Sequence, residues 1–309
     1  LFVSHRDKKK DHRSIVGFEF VLLAVVIADL LYFQLRQNPI VNAQQWLAPP
    51  KTVQKLKEDR SLFRIYSPGA SDVHKNVFAA AQGWSGTLQP YIDHREFIQA
   101  SSNVLYGLFS ADGYAQLTPN YVVDIWGDQN RSGVIRQTAS LEDGKFIVQD
   151  SFLKLMDLFN VKYIISPWPV VSSALEMMEQ NKGAMLYRNP NVLPRAFLVG
   201  KYRIVANPEI AKSILLSADF DPAHEVILYE QPSFIGSNKA ENSSVTVEHY
   251  NTNEVIIGVA SASGGLLVLS DTFYPGWKAD VDGVETTIYH ANLSQRALAL
   301  PGGNHKERF

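Results

Sequence analysis

The 309-residue chain has 46% hydrophobic and 19% charged residues, the make-up of a folded protein long enough for two ordinary domains. Its net charge is −2, so no global basic field draws in nucleic acid. There is no cysteine, which excludes disulfides, thiol catalysis and cysteine-based zinc or iron–sulfur centres.

The chain opens on Leu1 rather than Met, from which we expect a piece of a longer protein. Residues 1–13 form a basic segment, "HRDKKKDHR" at 5–13, expected on the cytoplasmic side. Residues 14–36 then read as a transmembrane helix, close to the ~20 residues that cross a bilayer. Five Lys/Arg precede it and only Arg36 closely follows, so the positive-inside rule places later residues outside. Tyr32, Phe33 and Trp46 suit the outer interface. Glu19 and Asp29 interrupt the apolar run, each at about 2.5–3.5 kcal/mol near the bilayer centre. A lone anchor rarely carries two such acids, so we expect one helix of a multi-helix protein. Two alternatives are a buried helix of a soluble protein, disfavoured by the basic flank, and a signal peptide. "VNA" at 41–43 offers a cleavage site for the latter, but the apolar region is long and acidic for one.

Residues 37–60 read as a linker, since Pro39, Pro49 and Pro50 forbid a continuous helix. A short helix is expected at 51–57 and a strand at 61–67. Residues 61–195 are expected to form a mixed α/β domain. Its clearest helix is 151–159, where Phe152, Leu155, Met156 and Phe159 make one stripe, with Asp150 or Ser151 as N-cap. Asn160 ends it, and strand 161–166 follows. A helix is expected at 173–181, then a strand at "AMLYRN". Residues 73–133 give no clear pattern.

Residues 196–309 are expected to form a β-sandwich-like domain with one helix, 208–217. Strands are expected at 226–229, 245–250, 254–259, 266–270, 277–281, 286–290 and 295–300. Asp282-Gly283 signals a two-residue hairpin, because a type I′ turn needs positive φ at both positions. The fold class is therefore α+β: one transmembrane helix, a mixed α/β domain and a mainly β sandwich.

Residues able to do chemistry are few. "GWSG" at 83–86 starts like a nucleophile elbow, but Thr87 stands where G-x-S-x-G needs glycine. The eight histidines show no metal-binding spacing. "DHRE" at 93–96 reads as a solvated loop, and "SASGG" at 261–265 as a turn between strands. No catalytic residue, metal or cofactor is assigned. Trp84, Trp126, Tyr274 and Trp277 have flat faces suited to sugar rings, although core packing is the ordinary reading. Of these, Trp84, Tyr274 and Trp277 are the candidate glycan contacts. Asn130, Asn242 and Asn292 head N-x-S acceptor patterns for glycosylation.

Three phrases carry a resemblance: "LFNVKYIISP" at 158–167, "LYRNPNVLPRAFLVGKYRIV" at 186–205, and "SDTFYPGWKADVDGVETTIYHANLSQRALALPGGNHKERF" at 270–309. Together they resemble the extracytoplasmic C-terminal region of the YfhO family, bacterial multi-span membrane proteins with a GT-C-like glycosyltransferase architecture. The resemblance implies help in transferring a sugar from a polyprenyl-phosphate donor to a cell-surface polymer, in a bacterial cell membrane. In GT-C enzymes the catalytic carboxylate lies in an early outer loop beside the first membrane helices, which has no counterpart here. Glu19 and Asp29 do not match that motif. The competing expectation is a non-catalytic ectodomain binding glycans or proteins. An independent surface hydrolase lacks any nucleophile or metal constellation.

Overall fold

The chain is α+β: one long N-terminal apolar helix, then short helices and four β-sheets among the described residues. The computed structural model describes residues 7–37, 41–79, 87–113, 118–127, 131, 133–233 and 243–309, with side chains of the first helix described for residues 17–34. Two compact units emerge, Leu1–Ala48 with Asp72–Arg95, and Pro49–Ser71 with Glu96–Phe309.

In the first unit, helix Asp7–Gln37 has 31 residues. Its Gly17–Gln34 stretch has mean hydropathy 1.8 and none of it is buried, so it is long and apolar enough to cross a membrane. Asn42 caps the short helix Ala43–Leu47, its Oδ1 accepting from Gln44 N at 2.8 Å. The Arg95 guanidinium lies over the Trp46 ring, 5.3 Å from its centroid. His74, Phe78, Tyr91 and His94 form an aromatic cluster, with His74 4.4 Å from Phe78 and Phe78 4.7 Å from Tyr91. His94 ends helix Gln89–His94 and is buried. The solvated loop expected at "DHRE" is therefore corrected: these residues are helical, and His94 packs against the rings of His74 and Phe78.

The second unit contains all the sheets. A mixed sheet has the strand order Phe109–Ser110, Arg64–Tyr66, Val161–Ser166, Ala184–Arg188, Glu176–Asn181, its first three strands parallel. Helix Asp150–Leu158 packs on it through Phe152, Leu155, Met156 and Leu158. Its N-cap is Gln149, without a side-chain capping bond, rather than Asp150 or Ser151. Asn160 stops the helix at φ 58°, a conformation Asn tolerates, and its Nδ2 donates to Leu193 O at 2.8 Å.

The helix expected at 173–181 is absent. Glu176–Asn181 is instead an edge strand, joined to Ala184–Arg188 by Lys182-Gly183 at φ 51° and 89°. The helix-forming side chains Leu175, Glu176, Met177 and Met178 lose to ladder pairing across that turn. A small sheet of Ala139–Glu142, Lys145–Val148 and Val170–Val171 was not among the expected strands.

A six-stranded sheet follows, in the order Lys201–Ile204, Glu225–Leu228, Tyr289–Ala291, Gln295–Leu300, Gly265–Leu269, Ala196–Val199. It is buried on both faces, and the strand period of two divides its side chains. Phe197, Val199, Leu266, Val268, Ala297 and Ala299 join one core with helix Asp150–Leu158 and helix Pro208–Leu216. Leu198, Leu267, Leu269, Leu298 and Leu300 join the other, facing Val255, Ile257, Val259 and Ala279. Those partners lie on an antiparallel sheet ordered Ser244–Tyr250, Val255–Ser261, Gly303–Arg308, Ala279–Val281, Val284–Thr286. Two sheets face one another across the second core, a sandwich arrangement. The first core contains residues on both sides of position 195.

The strand expected at 286–290 is two strands in different sheets, Val284–Thr286 in the outer one and Tyr289–Ala291 in the central one. Asp282-Gly283 makes the expected hairpin turn, with φ 52° and 82°. Residues 261–265 are the expected link between Val255–Ser261 and Gly265–Leu269.

Candidate functional site

The residues singled out in the sequence have different local surroundings within each unit. Glu19 and Asp29 lie on the apolar helix, both exposed. At 100° and 1.5 Å per residue they fall about 80° apart around the helix and about 15 Å apart along it. Trp84 lies outside the described residues. Tyr274 is 54% exposed beside the Pro275-Gly276 turn. Trp277 is half-buried against the sandwich core, with the Arg296 guanidinium 3.9 Å from its ring centroid. It packs rather than presents its face. Trp126 lies against the first core, 5.5 Å from Phe159.

Of the acceptor patterns, Asn130 and Asn242 lie outside the described residues. Asn292 is fully buried: its Oδ1 accepts from Ile227 N at 2.9 Å and its Nδ2 donates to Gln295 Oε1 at 2.8 Å. A glycan has no route to that amide in the folded chain.

Just upstream, the same aromatic segment builds a charged centre that sequence reading missed. Ser270 and Asp271 leave the end of strand Gly265–Leu269, where the central sheet meets the mixed sheet. Asp271 Oδ1 accepts from Arg64 Nη2 at 2.8 Å and from Arg195 Nη1 at 3.4 Å. Both its oxygens accept from Tyr250 Oη, at 2.9 and 2.8 Å. Arg64 Nη1 reaches Phe159 O and Ser270 Oγ, each at 3.1 Å. Gln295 Nε2 donates to Leu158 O at 2.8 Å and to Ser270 Oγ at 3.1 Å, so helix end, strand and loop share one network.

Two further arginines are buried here. Arg195 is 2% exposed and lies against the edge-to-face pair of Phe109 and Tyr250, 5.2 and 5.4 Å from their ring centroids. Arg296 is 5% exposed, and its Nε donates to Thr272 O at 2.9 Å. Burial, with the positive charge of Arg64 next, pushes Arg195 down to about 10. Burial also lowers Arg296. Tyr250 is pushed up to about 12 by burial and then by the Asp271 charge, so it stays a donor at neutral pH. A cleft of about 130 Å³ opens on this centre, lined by Arg64, Ser110, Trp126, Ser270, Asp271 and Thr272 among others.

No family model, curated protein or solved structure matches the chain.

On the far side of the segment, Phe273 stacks on His290 at 4.7 Å, and Tyr229 and Tyr121 lie 4.8 and 5.0 Å from the same ring. Burial lowers the His290 pKa, which keeps the ring neutral, and its Nε2 pairs with Leu293 O. The ring contacts make this a packed aromatic nest among the described residues. Among the described residues no group of three or more His, Asp or Glu is placed to hold a metal ion. What the arginine centre can do is bind negative charge.

Proposed function

We propose that the chain is the extracytoplasmic part of a bacterial multi-span membrane protein of glycosyltransferase type, together with one of its membrane helices. On this reading it assists transfer of a sugar from a polyprenyl-phosphate donor to a cell-surface polymer, and supplies no catalytic residue itself. Two acids on one apolar helix carry the reading. Glu19 and Asp29 each cost about 2.5–3.5 kcal/mol near the centre of a bilayer, which neighbouring helices or a polar cavity offset and lipid does not. A multi-helix parent follows from that cost. The basic run at 5–13 puts residues after about 36 on the outer side of the membrane. The resemblance to the YfhO family supplies the reaction class, and the remainder of such a parent supplies the catalytic carboxylate.

The test is a lipid-linked sugar transfer assay on the full-length parent in membranes, beside the 309-residue chain alone. Transfer by the parent and not by the chain is the expected result. A single-span parent, or transfer abolished by nothing upstream of residue 1, sinks the reading.

A second reading is a non-catalytic ectodomain that binds glycans or proteins. Tyr274 favours it, being a half-exposed aromatic beside a Pro-Gly turn. Glycan capture by the chain, lost in Tyr274→Ala while transfer by the parent is absent, selects that reading instead.

A further inference from the structure

The arginine centre holds more positive charge than its own carboxylate balances. Arg64, Arg195 and Arg296 carry three positive charges, and Asp271 is the carboxylate that acts on both Arg195 and Arg296. Among these described residues the sum is two positive charges in excess, in a region largely shut from water. Buried guanidinium groups are costly unless paired and hydrogen-bonded. Here the pairing is incomplete. Arg195 Nε and Nη2 and Arg296 Nη1 are buried with no hydrogen-bond partner among the described residues. Donors of this kind, fixed by packing, fit an anion that brings several acceptor oxygens.

We propose that this centre binds a phosphate monoester group, entering through the cleft bounded by Arg64, Asp271 and Thr272. Charge selects the class: a phosphate monoester carries about −1.5 to −2 at neutral pH, which matches the excess, whereas a carboxylate carries half of it. Geometry agrees. Arg195 is packed against the edge-to-face pair of Phe109 and Tyr250, with its side chain 1% exposed. Asp271 stands at the start of a loop whose Thr272, Tyr274, Pro275 and Gly276 are exposed. The fixed partner is thus the cation and the movable one is the carboxylate. Asp271 acts as a built-in competitor: phosphate oxygens replace its Oδ1 as acceptor from Arg64 and Arg195, and the Thr272 segment yields to expose Arg296. Ser270 Oγ accepts from Arg64 Nη1 and donates to Leu158 O, so it holds Arg64 in place beside the same position. The inference rests on this cluster alone and stands whether or not the parent is a transferase.

The experiment uses the full chain in detergent micelles, titrated calorimetrically with inorganic phosphate and with glycerol 3-phosphate, against chloride at matched ionic strength. A parallel arm places it in phosphatidylcholine nanodiscs with and without phosphatidic acid, a lipid monoester. Saturable binding in the soluble arm identifies a free phosphate compound, and binding confined to phosphatidic acid identifies a lipid headgroup. Arg296→Gln should weaken binding by about tenfold or more, the worth of a hydrogen bond to a charged group. Arg195→Lys, which keeps the charge and loses the fork, should do likewise and stands in if the first variant fails to fold. Asp271→Asn should tighten binding, because it removes the competing charge. Absence of saturable binding in both arms overturns the proposal, as does an Asp271→Asn chain that folds and binds phosphate more weakly.

Discussion

Arg64 Nη2 donates to Asp271 Oδ1 at 2.8 Å, closing a loop of 207 residues between the mixed sheet and the central sheet. Their side chains are 15% and 11% exposed, so the pair is close to a buried one. Removing one partner of such a pair leaves the other charge without compensation. Asp271→Ala strands Arg64 and Arg195 together and should cost about 3–5 kcal/mol, read from denaturant unfolding of the full chain in detergent. A loss below about 1 kcal/mol would mean that water reaches both guanidinium groups and that the centre is a surface feature.

Glu96 supplies a cap that its own neighbourhood in sequence does not announce. Helix Lys51–Leu56 begins after Pro50, which offers no side-chain cap. Glu96 Oε1 and Oε2 accept from Lys51 N at 3.1 Å and Thr52 N at 2.8 Å, filling that role from 44 residues away. A carboxylate at a helix N-terminus also meets the positive end of its dipole. Glu96→Ala should therefore destabilise by about 1–2 kcal/mol, and Glu96→Gln by less, in the same unfolding measurement.

How much of this was legible follows from the range of each interaction. Local signals read well: the apolar helix, the Asn160 stop, the Asp282-Gly283 turn and the alternation in Val255–Ser261 are written within a few residues. Glu176–Asn181 was misread because its strand character comes from a partner beyond Lys182-Gly183, while its own residues favour helix. The arginine centre was invisible for a stronger reason. Arg64, Arg195, Tyr250, Asp271 and Arg296 come from five separate stretches, and no spacing links them. Asn292 shows the converse: its acceptor pattern is complete in sequence, and only burial reveals that it cannot serve.

Trp277 and Tyr274 stand three residues apart with opposite surroundings. Trp277 packs on the sandwich core and beneath Arg296, while Tyr274 is 54% exposed. Trp277→Ala should cost about 2–3 kcal/mol, below the range for a fully buried tryptophan, through lost packing and the lost cation–π contact. Tyr274→Ala should stay within about 0.5 kcal/mol of wild type. Any glycan binding lost in Tyr274→Ala with an unchanged melt is then a contact effect. Equal destabilisation by both variants would show that the 270–277 loop is one packed unit.

Glu307 gives the sandwich a pH dependence of definite sign. It lies on strand Gly303–Arg308, level with Ile257 on one side and Val281 on the other. The residue is fully buried, and neither carboxyl oxygen has a hydrogen-bond partner among the described residues. Burial raises its pKa from 4.5 to about 7, with its own backbone N–H and then His305 acting to lower it and Asp282 and Glu248 to raise it. The folded chain therefore holds a proton that the unfolded chain releases. Its contribution to stability is complete below pH 4.5, falls as pH rises, and is lost above about 7. Asp157, raised to about 6 by burial, acts in the same direction, so the wild-type curve alone does not isolate Glu307. Glu307→Gln does. The stability difference, wild type minus variant, should fall between pH 4.5 and about 7 by no more than about 1.4 kcal/mol per pH unit, then level off. A difference that stays flat from about pH 5 to 8 would place this carboxylate in contact with water or a cation, and the sandwich core would have to open at that strand.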